Sequence, residues 1–270
     1  AGRILVPKYG TKLVMTLAFP IVTFSALLTV ISSSYFYFLL TFISGGIGWG
    51  ASGPIGGIHS QLIERHFKKI ITPYYAMGFN LGILLGGGLA GLIMRNNYEP
   101  YISFTILSFL SILVSSFVYS YGLPRDLDFK GEGEKFKLPE TNVLLFGFLL
   151  FFVFGSGGII MDWSTLWLSK DLNTPLYLAS MGLIFFSIGG IFANLFSNSL
   201  INLFTEKVVG CHFVMIGAAI MFLSLLTNNF YIILAVLCIY GFAIANLVPI
   251  IIRQAVKQSN ESIPMTVTNL

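Results

Sequence analysis

The sequence predicts an all-α integral membrane protein, with eight spanning helices arranged in two blocks. Three observations carry this. The chain is 56% hydrophobic and 10% charged with a mean hydropathy of +0.85, whereas soluble globular chains carry ~25% charge. Its apolar residues come in runs of ~20, the length a helix needs to cross the hydrocarbon core. Its lysines and arginines fall on one side when the chain alternates across those runs.

Eight spans are expected, in order, at Leu13–Ile31, Tyr35–Ile58, Ile70–Met94, Tyr101–Tyr121, Val143–Leu166, Leu176–Leu200, Val208–Leu226 and Phe230–Ile252. Short polar segments punctuate them. These include Ser32-Ser33-Ser34, the basic run Glu64-Arg65-His66-Phe67-Lys68-Lys69, Arg95-Asn96-Asn97, Lys170-Asp171, Thr205-Glu206-Lys207 and Asn228-Asn229. With this count, every Lys and Arg except Arg95 and Lys170 lies on the side that holds Arg3. The positive-inside rule makes that side cytoplasmic. Tyr35, Tyr37, Tyr98, Tyr101, Trp167 and Tyr231 collect at the opposite interface, where amphipathic rings prefer to sit.

The longest polar interruption, Leu123–Glu140, is expected to be a cytoplasmic connector. It separates an N-terminal block (residues 1–122) from a C-terminal block (residues 141–270). Its mixed charge, with Gly131 and Gly133, makes it a mobile tether on this reading. The chain opens AGRILVPKYG and stops at Leu270, just after a new apolar stretch begins past Pro264. The expectation is a segment of a longer protein.

The net charge of +4 reflects one-sided loops and does not suggest a nucleic-acid surface. Cys211 and Cys238 lie in or beside apolar runs and read as small hydrophobes. No H-E-x-x-H, G-x-S-x-G or Walker loop is present, so no enzyme, metal or cofactor is expected. Two glycine faces stand out: Gly46, Gly50, Gly53 and Gly57 in the second span, and Gly78, Gly82 and Gly86 in the third. Such faces let helices pack closely in lipid, either as fixed packing or as a sliding contact between bundles. Pro54 and the run Gly155-Ser156-Gly157-Gly158 are places where helices can bend.

Asp162 is the one acid well inside an expected span. It reads either as a proton-coupling or substrate-contacting carboxylate, or as an interfacial acid among Trp163, Ser164 and Thr165. Asn80, Asn194 and Asn246 lie at similar depths in three spans. They suit a neutral polar ligand, or equally interhelical hydrogen bonds. Trp49 and Tyr240, near mid-depth, are either ligand-stacking rings or packed side chains. His59 and Glu64 mark the cytoplasmic end of the second span, either as a proton-exchanging pair or as a solvated helix end.

The stretch Gly2-Arg3-Ile4-Leu5-Val6-Pro7-Lys8-Tyr9-Gly10-Thr11-Lys12 resembles the G-x-x-x-D-R-x-G-R-R-like loop signature of the major facilitator superfamily. Gly2, Lys8, Gly10 and Lys12 match it in kind, and Pro7 stands where the acid is expected. A fainter copy, Ser197–Lys207, lies about 195 residues later, with Asn202 at the acid's place. Parallel repeats of this kind relate the two halves of such transporters. Two further stretches, Tyr75–Gly86 with the preceding basic run and Met161–Leu168, are similar to a bacterial inner-membrane branch related to sugar porters.

This resemblance implies that the eight spans are the third to tenth of twelve helices in two pseudo-symmetric halves. Asn80, Asn194 and Asn246 would then fall on the fifth, eighth and tenth helices, beside a central cavity, and Trp49 on the fourth. It further implies alternating-access transport of a small polar, sugar-like solute by a proton-coupled symporter. Gly2, Lys8, Gly10 and Lys12 would form a gating loop. The expected partners are the bilayer, the solute and a proton, with the chain monomeric in a bacterial inner membrane and both observed ends cytoplasmic. An efflux antiporter, or a non-transporting eight-helix enzyme or scaffold, is the competing expectation.

Overall fold

The computed structural model describes residues 2–125, 128, 140–260 and 263–270, with the side chains of residues 2–4, 6, 7, 264 and 268 left aside. Most of the expected connector therefore lies outside the described residues. The helices are α1 (Gly2–Ile31), α2 (Tyr35–Phe67), α3 (Thr72–Arg95), α4 (Tyr101–Tyr121), α5 (Thr141–Lys170), α6 (Leu176–Ala179), α7 (Met181–Leu195), α8 (Ser197–Lys207), α9 (Phe213–Ser224), α10 (Phe230–Ile244), α11 (Leu247–Gln258) and α12 (Ile263–Asn269). A π-helical turn, Val208–His212, joins α8 to α9. There is no strand among the described residues.

Eight helical stretches are long and apolar enough to cross a membrane, and each overlaps one of the eight expected spans. Local chemistry sets several of their ends. Asn229 caps α10, its side-chain carbonyl accepting from the Tyr231 and Ile232 amides at 3.0 and 3.2 Å. Pro73 sits in the first turn of α3, where its missing N–H costs nothing. The last span breaks between α10 and α11 at Ala245 and Asn246. Pro249 lies four residues after Ala245, so its ring opposes the helical position of the Ala245 carbonyl and it has no N–H to donate there.

Two stretches expected as connecting loops are helical. α1 takes in the first loop signature and kinks at Gly10, whose φ of 81° and ψ of 161° interrupt the helix. α8 is the second copy, and it kinks at Thr205 (φ 68°, ψ 155°). α2 runs through Pro54 and α5 through Gly155–Gly158 as continuous helices.

By contact the chain forms two compact units. The first comprises Ala1–Lys69, Tyr98–Leu144 and Ala255–Leu270. Within it α1 packs on α2 and α4, and α12 on α1 and α2. Hydroxyls line the α1 contacts. The Thr23 and Ser111 hydroxyls are 2.7 Å apart, Ser108 Oγ donates to the Thr23 carbonyl at 3.1 Å, and Ser25 and Ser44 meet at 2.7 Å. Small hydroxyl side chains satisfy themselves on their own helix while bringing backbones close.

The second unit comprises Ile70–Asn97 and Leu145–Gln254. Here α7 packs on both α3 and α10, and α10 on α9. Its core holds Ile160, Leu168, Phe186, Ile233, Leu237 and Tyr240. Unit membership does not follow chain order: α3 sits with helices from the second half of the sequence.

The α7–α10 crossing rests on single glycines. A methyl group on Gly189 would strike the Cys238 carbonyl oxygen, and one on Gly241 would strike the Phe186 carbonyl oxygen. The periodic glycine faces behave differently. A methyl at Gly46, Gly50, Gly53, Gly78, Gly82 or Gly86 would meet nothing within 4 Å among the described residues. Among the described residues no neighbour packs closely on these positions, because helix approach is set by which face a neighbour meets and not by glycine spacing alone.

Candidate functional site

Three expected asparagines come together around the last turn of α7. The Asn80 amide, from α3, lies against Gly190, since a methyl there would fall 2.7–2.9 Å from its Oδ1, Cγ and Nδ2 atoms. Its Nδ2 donates to the Ala76 carbonyl of its own helix at 3.0 Å. Asn194 follows Gly190 by one helical turn and is 1% exposed. Asn246 sits in the α10–α11 break, also 1% exposed, and its Nδ2 donates to the Ala193 carbonyl at 3.0 Å.

The hydrogen-bonding capacity of this cluster is far from used. Asn194 Oδ1 and Nδ2, Asn246 Oδ1, and the nearby Ser187 and Ser197 hydroxyls on the same helical stretch are buried without a partner among the described residues. A buried polar atom left unmatched costs about 1–3 kcal/mol, so several on one helical stretch need an explanation. Uncharged amides offer both donors and acceptors. Such a set can recognise hydroxyl or carbonyl groups without requiring charge on the ligand.

The other expected residues lie elsewhere. Tyr240 is packed in the core of the second unit, its ring centroid 6.3 Å from that of Phe186. Trp49 is 57% exposed on α2 in the first unit. Asp162 is exposed on α5. Ile160, Ser164 and Leu168 form the buried stripe of that helix. At 100° per residue Asp162 therefore lies on the opposite face.

The loop signatures form a second arrangement. In the first, Gly10 turns the backbone and Thr11 restarts the helix. The Thr11 amide and hydroxyl both donate to Asp128 Oδ2, at 2.5 and 3.1 Å, and the hydroxyl is 3.0 Å from His59 Nδ1. Lys8 accepts at its carbonyl from Arg125 Nη2 at 2.9 Å, and the Lys12 ammonium lies 5.3 Å from the centre of the Tyr119 ring. Gly2 is in the first turn of α1.

In the second copy, Glu206 follows the kink at Thr205. It pairs with Arg253 (Nη1 to Oε1, 2.6 Å) and accepts from Gln254 Nε2. The contacts Thr11–His59 and Glu206–Gln254 each bridge 48 residues. Shifting the first set by the repeat spacing (residues 10, 11 and 59 to 205, 206 and 254) superimposes both kinks and both contacts. The two copies thus share a kink and a side-chain contact at matching positions.

The sequence profile described as the Major Facilitator Superfamily matches residues 2–266. The chain belongs to the major facilitator superfamily. An uncharacterised MFS-type transporter of Yersinia pestis is 20% identical over 263 residues, covering 95% of this chain and 66% of that relative. The chain thus spans just under two thirds of the relative's length. Membership agrees with an integral membrane helical bundle and with the eight membrane-length helices.

Several residues of this major facilitator protein's sites carry no signal of their own in the sequence. Asp128 looked like one charge among many in a polar connector, and Thr11 like an unremarkable loop residue. Glu206, Gln254 and Arg253 carried no motif of their own. Pro249 was the available signal for the break that presents Asn246. The repeat spacing, applied to position 59, was the signal for position 254.

Proposed function

We propose that the full protein is a secondary active transporter that moves a small, neutral, polar solute by alternating access. The observation that carries this reading is the buried amide cluster of Asn194 and Asn246, with three unmatched donor or acceptor atoms between them. Family membership and the Yersinia pestis relative support transport in general. A polyhydroxy or sugar-like solute suits the amides, since each hydroxyl both donates and accepts. In this reading Asn80 lends a third amide, and Asp162 carries the coupling proton from its own face of α5. The basic loops, the connector and both observed ends face the cytoplasm of a bacterial inner membrane, with the protein working as a monomer.

The test is whole-cell or proteoliposome uptake by the full-length protein, screened over neutral polar solutes. Asn246→Ala and Asn194→Ala are expected to raise KM for the solute found by about tenfold, the loss of roughly one good hydrogen bond in a buried site. Asp162→Asn is expected to remove the response to a pH gradient. Variants that keep wild-type KM and pH response would refute these assignments.

A further inference from the structure

We propose that Asp128 is the positioning carboxylate of the first loop signature, supplied from the connector, and that it fastens the central connector to the start of the first span. The sequence of the first loop signature leaves a vacancy. The signature expects an acid, and Pro7 occupies its place. The stretch from Lys8 to Leu13 contains two lysines and no acid. Yet the helix restarts at Thr11 after the Gly10 kink, and a restarting helix presents free N–H groups and a partial positive charge.

Asp128 meets that need from 117 residues away. Its Oδ2 accepts both the Thr11 amide and the Thr11 hydroxyl, and the residue is 6% exposed. A hydroxyl has one proton to give, and a carboxylate only accepts. Because Thr11 gives its proton to Asp128, it must accept from His59, which places a proton on His59 Nδ1. The result is a directed chain of hydrogen bonds from α2, through the helix start, to the connector.

Two further features fit docking. Arg125, three residues before Asp128, donates to the Lys8 carbonyl at 2.9 Å and so fastens the connector at a second point. Gly10 leaves room for both. A methyl there would lie 2.7 Å from Asp128 Oδ2 and 2.9 Å from Arg125 Nη1. The second copy also carries an acid next to its kink. There the residue after the kink is itself an acid, Glu206, whose carboxylate pairs with Arg253 and Gln254, so each copy holds one carboxylate beside its kink. One is local; the other comes from the connector. The connector is thus anchored at two described residues near its start, Arg125 and Asp128.

The inference does not need the transport reading, and neither arm of its test uses a solute. In the full-length protein with Cys211→Ser and Cys238→Ser, the pair Thr11→Cys and Asp128→Cys is expected to form a disulfide under mild oxidation in membranes. By hydrogen–deuterium exchange, Asp128→Ala is expected to speed exchange around Thr11 about fivefold, the factor a typical helix cap corresponds to. Exchange at residues 23–31 of the same helix should be unchanged, and Asp128→Glu should restore part of the protection. Absence of the disulfide would overturn the docking. Exchange that is unaltered, or raised evenly along α1, would overturn the positioning role.

Discussion

Gly10 and Thr205 share a backbone conformation that only one of them adopts without cost. Both have positive φ with ψ near 160°, a region that glycine occupies freely and a β-branched residue does not. At Gly10 the freedom is needed twice, for the turn and for the approach of Asp128. Gly10→Ala should therefore destabilise the protein by about 1–3 kcal/mol. Thr205→Gly should stabilise it, or at worst leave it unchanged, because strain is removed without losing a contact named here. Thermal unfolding of the purified full-length variants checks the pair; shifts of the same sign would refute the shared conformation. The neighbouring Glu206–Arg253 pair is largely buried, with side-chain exposures of 20% and 8%. Glu206→Leu alone leaves a buried guanidinium unpaired and should cost about 3–5 kcal/mol. The double variant Glu206→Leu with Arg253→Leu should recover much of that loss. A double variant as unstable as the sum of the singles would show that the two groups do not act as a pair.

At the scale of elements, the glycines that matter are isolated. Gly189 and Gly241 sit where α7 and α10 cross with backbone against backbone, and neither belongs to a periodic glycine face. Added methyl groups there must push two helices apart, because the obstructing atoms are carbonyl oxygens that cannot rotate away. Gly189→Ala should therefore lower the unfolding temperature sharply and reduce folded yield. Gly82→Ala, on the open face of α3, should be neutral or mildly stabilising by ~0.5–1 kcal/mol through helix propensity. Comparable losses in both variants would contradict the crossing described. Spacing of glycines was readable in the sequence; their partners were not. The same holds for the α10–α11 break. Pro249 signals an interruption, but only the crossing of α7 brings the Ala193 carbonyl within reach of Asn246.

Over the whole molecule, the long-wavelength features were the legible ones. Eight membrane-length helices follow from the length and apolarity of each run, which are local properties. The repeat was legible from two degenerate loop stretches, and it reappears as matched kinks at Gly10 and Thr205. The amide cluster was half legible. Asn80, Asn194 and Asn246 stand out in the sequence because polar side chains in spans are costly, and the structure gathers them around one turn of α7. Tyr240 and Trp49 stand out only by depth, which does not say whether a side chain faces a core, a ligand or lipid. Asp128 was invisible because a carboxylate in a polar connector has no pattern to distinguish it.

What the sequence determined by itself is the class of molecule: a membrane bundle, its span count and its internal repeat. Hydropathy, helix length and charge are summed over neighbouring residues, so they survive without knowledge of the fold. The tertiary structure decided which glycines carry a crossing, which amides meet, and which carboxylate caps the first span. Those contacts join residues 49 to 117 apart. They depend on how two helices cross or where a connector lands, and no local pattern encodes that geometry.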